Sequence, residues 1–147
     1  MIQNSTNNLK MTKPYVFQVG KTENPQGMLH YLEQQQIPFQ IKRTFWISGV
    51  PENSVRGVHA HHKDQQVTIC LQGKVEVKLE DLAKKQYLFT LESPEQVLFL
   101  PHLVWSEFVF YSNAILLVMA NENFSEDDYI RDKKVFEKLQ DEYRKKL

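Results

Sequence analysis

The sequence predicts an all-β domain, an antiparallel sandwich or barrel of jelly-roll type with a C-terminal helix. Three observations predict it. Eight or nine short runs rich in β-branched and aromatic residues succeed one another between Tyr15 and Ala120. Turn-forming segments such as SGVPENS, DLAKK and ESPE separate them at roughly six- to twelve-residue intervals. After Phe124 the texture changes, and apolar side chains recur at helical rather than alternating spacing.

The elements follow in order. Residues 1–13 form a polar leader without an apolar segment, expected to fray, and residues 14–147 make a single domain. Tyr15–Val19 is β-prone and stands apart, either an edge strand of its own sheet or a strand paired with another subunit. Gly27–Phe39 reads as a loop or helical turn ending before Pro38. In IKRTFWI, Ile41, Phe45 and Ile47 share one side with Arg43, while Lys42, Thr44 and Trp46 share the other. VRGVHA and QVTICL flank a polar HHKDQ turn, and Gly73 closes the second of them. KVEVKLE alternates most clearly, with Val75, Val77 and Leu79 inward. QYLFTL, QVLFL, LVWSEFVF and AILLVMA are read as four further strands. The helix is expected over about 125–147, capped by Ser125, acidic at its start, basic at its end, and burying Phe136, Leu139, Tyr143 and Leu147.

With 147 residues the chain holds one full core and not two ordinary domains. The 18 basic and 18 acidic residues balance, which disfavours nucleic acid or an acidic membrane as partner. Cys70 is the only cysteine, so there is no intrachain disulfide, and a reducing compartment is expected. No apolar run is long enough to span a bilayer, and a cytoplasmic location is the expectation.

The chemistry concentrates in Val55–Gly73. His59 and His61 are two apart, so on a strand both imidazoles share a face. Such a pair reads as metal ligands, as an acid/base pair, or as two surface residues. Gln66, Thr68 and Cys70 share the next strand's polar face and can line the same cavity, leaving Val67, Ile69 and Leu71 in need of a cover, for instance a second subunit. Arg56 is a candidate anion holder, but strict alternation turns it away from the histidines unless Gly57 makes a bulge. Arg43, among apolar neighbours, either reaches into the cavity or ends a strand. Trp105 either stacks on a base or sugar or belongs to the core, and His102 rims the pocket or lies in an exposed turn.

This region resembles the metal-binding motifs of the cupins. His59, His61 and Gly73 fit the first motif, with Gln66 at its glutamate place. In the second, Leu103 stands at the glycine place and Ser106 at the histidine place. An amide and a hydroxyl replace two of four ligands, poor donors for a divalent transition ion. The two imidazoles are then candidates for proton transfer.

The chain is further similar to the sugar-nucleotide 3,4-ketoisomerases, metal-free cupins acting on dTDP-4-keto-6-deoxyglucose. The matching pieces are IPFQIKRTFWI, RGVHAHHKDQQVTICLQG, FLPHLVWSEF, ILLVMAN and the DYIR of Asp128–Arg131. The resemblance implies a cupin-type barrel and a homodimeric enzyme of deoxysugar biosynthesis with exchanged N-terminal strands. It implies no metal or redox cofactor. It further implies His59 and His61 as the catalytic pair and Arg56 at the pyrophosphate or sugar, with Gln66, Arg43, Trp105 and Ser106 as further substrate-binding candidates. The sequence departs from that family at Phe45-Trp46, where a tyrosine pair is usual, at Ser106, where histidine or arginine is usual, and at His62, inserted before Lys63. A non-catalytic sugar-nucleotide-binding cupin and a metal-dependent cupin enzyme are the alternatives.

Overall fold

The computed structural model describes residues 12–147, so the leader lies, apart from residues 12 and 13, outside the described residues. Among the described residues there are ten strands: β1 (Tyr15–Gln18), β2 (Gly20–Asn24), β3 (Gly27–Tyr31), β4 (Arg43–Ile47), β5 (Ser54–His61), β6 (Gln66–Glu80), β7 (Gln86–Leu91), β8 (Gln96–Leu100), β9 (Trp105–Ala120) and β10 (Tyr129–Ile130). One helix, α1 (Lys133–Lys145), follows them. All pairings are antiparallel, in the order β1-β8-β6-β9-β5-β10, with β4 added to β9 and β7 to β6. This is the expected cupin-type jelly-roll barrel with a C-terminal helix.

Its spine is the pairing of β6 with β9, continuous from Gln66 opposite Ala120 to Glu80 opposite Trp105. Sequence patterning divides each of these into two strands. Both are in fact single strands carrying a bend. Gly73 (φ 78°) faces Ser112 (φ 57°) and Asn113 (φ 52°), and the register shifts on either side of Gln72. The left-handed residues that resemble a turn in sequence act as bulges, which let one strand serve both halves of the barrel. The first part of β6 pairs with β8 and the second with β7.

The interior packs Val75, Val77, Leu79, Leu91, Leu98, Phe108, Phe110, Leu116 and Val118. Val67, Ile69, Val97 and Phe99 point outward and are covered within the chain by Ile37, with Phe17, Phe39 and Ile41 against them. Thus Val67 and Ile69 need no second subunit, whereas Leu71 stays 46% exposed. Tyr15–Gln18 pairs with β8 at the edge of the sheet.

Two further expectations are corrected. Gly27–Tyr31 is not a loop but a strand that pairs with β2 in a hairpin; only Gln34–Gln36 forms a helical turn. The helix begins at Lys133, not Ser125. Asp132 caps it by accepting from the Lys134 amide at 2.9 Å, while Ser125 makes no side-chain cap. Phe136 is fully buried, ring to ring with Trp105 at 5.7 Å, beside Ala60 and Ile130. Gln140 is buried too, its amide donating to Glu80 Oε1 and to the Asp81 carbonyl, both at 2.9 Å. Leu147, expected on this face, is 86% exposed because the helix has ended.

A Cβ on Gly73 meets Ala114 Cα and the Ser112 carbonyl oxygen at 2.7 Å, in a backbone conformation that L-residues resist. Gly73→Ala is therefore expected to destabilise the fold by about 2 kcal/mol or more, read as a lowered urea midpoint at unchanged slope.

Candidate active site

The site sits where β5 crosses from β9 to β10. β5 keeps regular register with β9 from Ser54 to Gly57 and then slips, so that His59 faces Ser106. Gly57 (φ 84°) and Val58 (φ 59°) form the bulge. Positive φ suits glycine but is a true outlier for a β-branched residue, and strain of this kind costs roughly 1–2 kcal/mol. The effect is geometric: one extra residue resets the alternation, so Arg56 and His59 border the same cavity.

That cavity is about 140 Å³, lined chiefly by Phe45, Arg56, His59, Gln66, Thr68 and Tyr129, with barrel residues such as Phe108 and Leu116 behind them. Arg56 is exposed at its rim, while Thr68 is fully buried and its Oγ1 has no hydrogen-bond partner. Cys70, expected beside Thr68, instead lies in the barrel core with Sγ donating to the Gln72 carbonyl at 3.1 Å.

His59 and His61 share one face, as two-residue strand spacing requires. Their rings meet edge to face at 4.9 Å between centroids. Tyr129 packs against both, at 4.9 Å from His59 and 4.4 Å from His61. Strand β10 makes this possible, because Tyr129 pairs opposite His61 and Ile130 opposite Ala60. His59 Nδ1 lies 2.9 Å from the Gly57 carbonyl and donates to it, which leaves Nε2 as the acceptor. Burial and the neighbouring His61 hold the His59 pKa down at about 4. Burial also lowers that of His61, against the opposing charge of Asp128. Both rings are neutral at pH 7 on these directions.

Two carboxylates support the site. Asp64, 3% exposed, accepts from Arg43 Nη2 at 3.1 Å, Gln66 Nε2 at 3.0 Å and the Glu122 amide at 3.1 Å. Asp128 lies 3.3 Å from His61 Nδ1 and accepts from the amides of Lys63 and Asp64. Neither aspartate is among the residues singled out from the sequence, although Asp128 and Tyr129 begin the DYIR piece that carries the resemblance.

Three substrate-binding candidates fall outside the cavity lining. Arg43 is committed to Asp64 and stacked over Phe45 at 5.0 Å. Trp105 is 4% exposed, held between Phe136 and the Lys133 ammonium on the other side of the sheet, so the core reading applies. Ser106 is 2% exposed, and its hydroxyl donates to the His59 carbonyl at 3.2 Å, tying β9 to β5. His102 is half-buried in its turn, where burial lowers its pKa. At the places of the cupin metal motif the chain offers two imidazoles, an amide held by Asp64 and a hydroxyl held by a main-chain carbonyl. This donor set lacks an anionic oxygen.

Fold and site together define a cupin-type barrel with an imidazole pair beside its cavity. The family model FdtA, described as WxcM-like, C-terminal, matches residues 12–141. The chain is 39% identical over 107 residues to the TDP-4-oxo-6-deoxy-alpha-D-glucose-3,4-oxoisomerase of Aneurinibacillus thermoaerophilus, covering 72% of this chain and 76% of that protein. Among solved structures it resembles QdtA, a sugar 3,4-ketoisomerase from Thermoanaerobacterium thermosaccharolyticum in complex with TDP. The TM-score is 0.83 at 31% identity, over 88% of this chain and 96% of that one. A 3,4-ketoisomerase from Helicobacter canadensis matches with TM-score 0.83 at 30% identity, over 89% and 99%. The chain belongs to the FdtA family.

An NMR titration of the His59 ring is expected to give a midpoint near 4, well below the ordinary 6.5. Because His61 contributes to that depression, His61→Asn should move the midpoint upward.

Proposed function

We propose that the chain is a sugar-nucleotide 3,4-ketoisomerase that moves the ketone of dTDP-4-keto-6-deoxyglucose from C4 to C3 through an enediol. The observation that carries this reading is the pair of neutral imidazoles meeting at 4.9 Å beside a cavity that Arg56 rims. The C3–H bond is acidified by the adjacent C4 carbonyl. His59 Nε2 takes that proton, and the electron pair forms the C3–C4 double bond as O4 gains a proton. Return of a proton to C4 and loss of the O3–H proton then leave the carbonyl at C3. Atoms balance with no net redox change. His61 is the second imidazole of this exchange, close enough to relay or return the proton.

The cavity is about 140 Å³. That is smaller than the roughly 300–1,000 Å³ of pockets that enclose a whole ligand. In this reading it takes the sugar ring, and the nucleoside diphosphate runs outward past Arg56, whose planar fork suits phosphate oxygens. Gln66 and Thr68 offer polar contacts to the sugar hydroxyls from the cavity wall.

A homodimer completes the proposal. Trp46 (67% exposed) and Leu71 (46%) leave an apolar outer face on the barrel. The β2–β3 hairpin exposes Met28, Leu29 and Tyr31, and an isolated hairpin is marginal in water. A second copy satisfies both, and exchange of β1 between copies preserves its register with β8. Light scattering should return twice the chain mass; a monomer at micromolar concentration would exclude this part.

The activity is tested by proton NMR of dTDP-4-keto-6-deoxyglucose incubated with the protein. The wild type should yield the 3-keto isomer. His59→Asn and His61→Asn should each lower kcat by about 10²–10⁴-fold, the usual worth of a general acid/base group. Arg56→Ala should chiefly raise KM, by about tenfold or more. Binding without product would instead make the chain a sugar-nucleotide-binding cupin. Bound stoichiometric metal required for turnover would return the metal-dependent reading.

A further inference from the structure

We propose that Asp128 is a positioning residue, whose carboxylate fixes the tautomer of His61 and ties that ring to the 62–64 turn. The inference rests on the ketoisomerase reading of the same site and assigns a role that the paired imidazoles alone do not supply.

The geometry is specific. Asp128 Oδ2 stands 3.3 Å from His61 Nδ1 and also accepts from the Asp64 amide at 3.1 Å; Oδ1 accepts from the Lys63 amide at 2.8 Å. The Asp128 carbonyl takes the neighbouring amide, that of His62, at 2.9 Å. Three consecutive main-chain N–H groups of one turn thus converge on one residue. Each of these partners is a donor, so the carboxylate acts only as acceptor, and the contact to His61 requires the proton on Nδ1. Nε2 then carries the lone pair. It is buried and has no hydrogen-bond partner, beside the cavity wall formed by His59 and Tyr129.

The second carboxylate explains why the role falls to Asp128. Asp64 has its oxygens filled by Arg43, Gln66 and the Glu122 amide. It neutralises a guanidinium and does not touch the imidazoles. Arg131, three residues beyond Asp128, bonds Glu126 and leaves the Asp128 carboxylate to the ring and the turn. The β10–β5 register, with Tyr129 opposite His61, holds Asp128 at the edge of that ring.

An amide at this place would invert the arrangement. The side chain introduced by Asp128→Asn has one acceptor oxygen for three donors. Its NH2, when it faces His61, donates to Nδ1 and moves the ring proton to Nε2. The test has two arms. Nitrogen-15 NMR of the ligand-free wild-type protein should show the Nδ1–H tautomer for His61, and Asp128→Asn should shift it toward Nε2–H. In the ketoisomerase assay Asp128→Asn should lower kcat by about 10- to 1,000-fold with KM within about threefold, and Asp128→Glu should recover part of the loss. The wild-type tautomer needs neither turnover nor a folded variant, so it separates failure of this inference from failure of the proposed activity. An Nε2–H ring in the wild type would overturn the proposal. So would a variant whose thermal stability falls while its tautomer and kcat stay as in the wild type, since Asp128 would then serve the turn alone.

Discussion

The site depends on one irregularity in one ladder. Had β5 continued its alternation against β9, Arg56 would point away from His59 and the cavity would lose its cationic rim. The slip at Gly57–Val58 prevents this by leaving one residue unpaired. Ser106 reinforces it from the neighbouring strand by bonding the His59 carbonyl. The Gly57 carbonyl, turned by the same bulge, accepts from His59 Nδ1 and so helps set which nitrogen is free. A backbone defect thereby places Arg56 at the cavity rim, orients the His59 ring and selects its tautomer at once.

Electrostatics divides the surrounding charges between two tasks. Asp64 balances Arg43 and holds Gln66, keeping a guanidinium among phenylalanines without leaving it unpaired. Asp128 contacts the His61 ring and the turn beside it. Neutral rings suit an enediol route, in which a proton is taken and returned and no charge has to persist. Burial is the main cause of that neutrality, with mutual repulsion between the rings adding to it at His59.

Much of the fold is legible in the sequence because period-two patterning and turn chemistry both mark strands. What misleads is local. Gly73 and Ser112-Asn113 have turn chemistry, yet each faces the other across a continuous ladder, and only pairing between distant strands distinguishes a bulge from a turn. The hairpin Gly20–Tyr31 is hidden because β2, GKTEN, has no apolar alternation to show. Ser125 looks like a helix cap, but Tyr129–Ile130 is captured by β5 and delays the helix to Asp132. At the site, the histidine spacing and the possible bulge at Gly57 can be read from the chain. Asp64 and Asp128 cannot, since their importance comes from the 21-residue and 67-residue separations at which they meet Arg43 and His61. Motif alignment draws Trp105 and Ser106 to the site, whereas Trp105 packs against Phe136 and the Ser106 hydroxyl is spent on the His59 carbonyl.

In the proposed reaction hydrogen leaves C3 as a proton and a proton returns to C4, with imidazole as the carrier. Substrate deuterated at C3 tests it directly, with turnover in ordinary water followed by NMR and by rate. A normal primary isotope effect is expected, together with loss of label to solvent and the appearance of solvent hydrogen at C4. Complete transfer of the deuterium from C3 to C4 that persists at an unchanged rate in His59→Asn and in His61→Asn would contradict it.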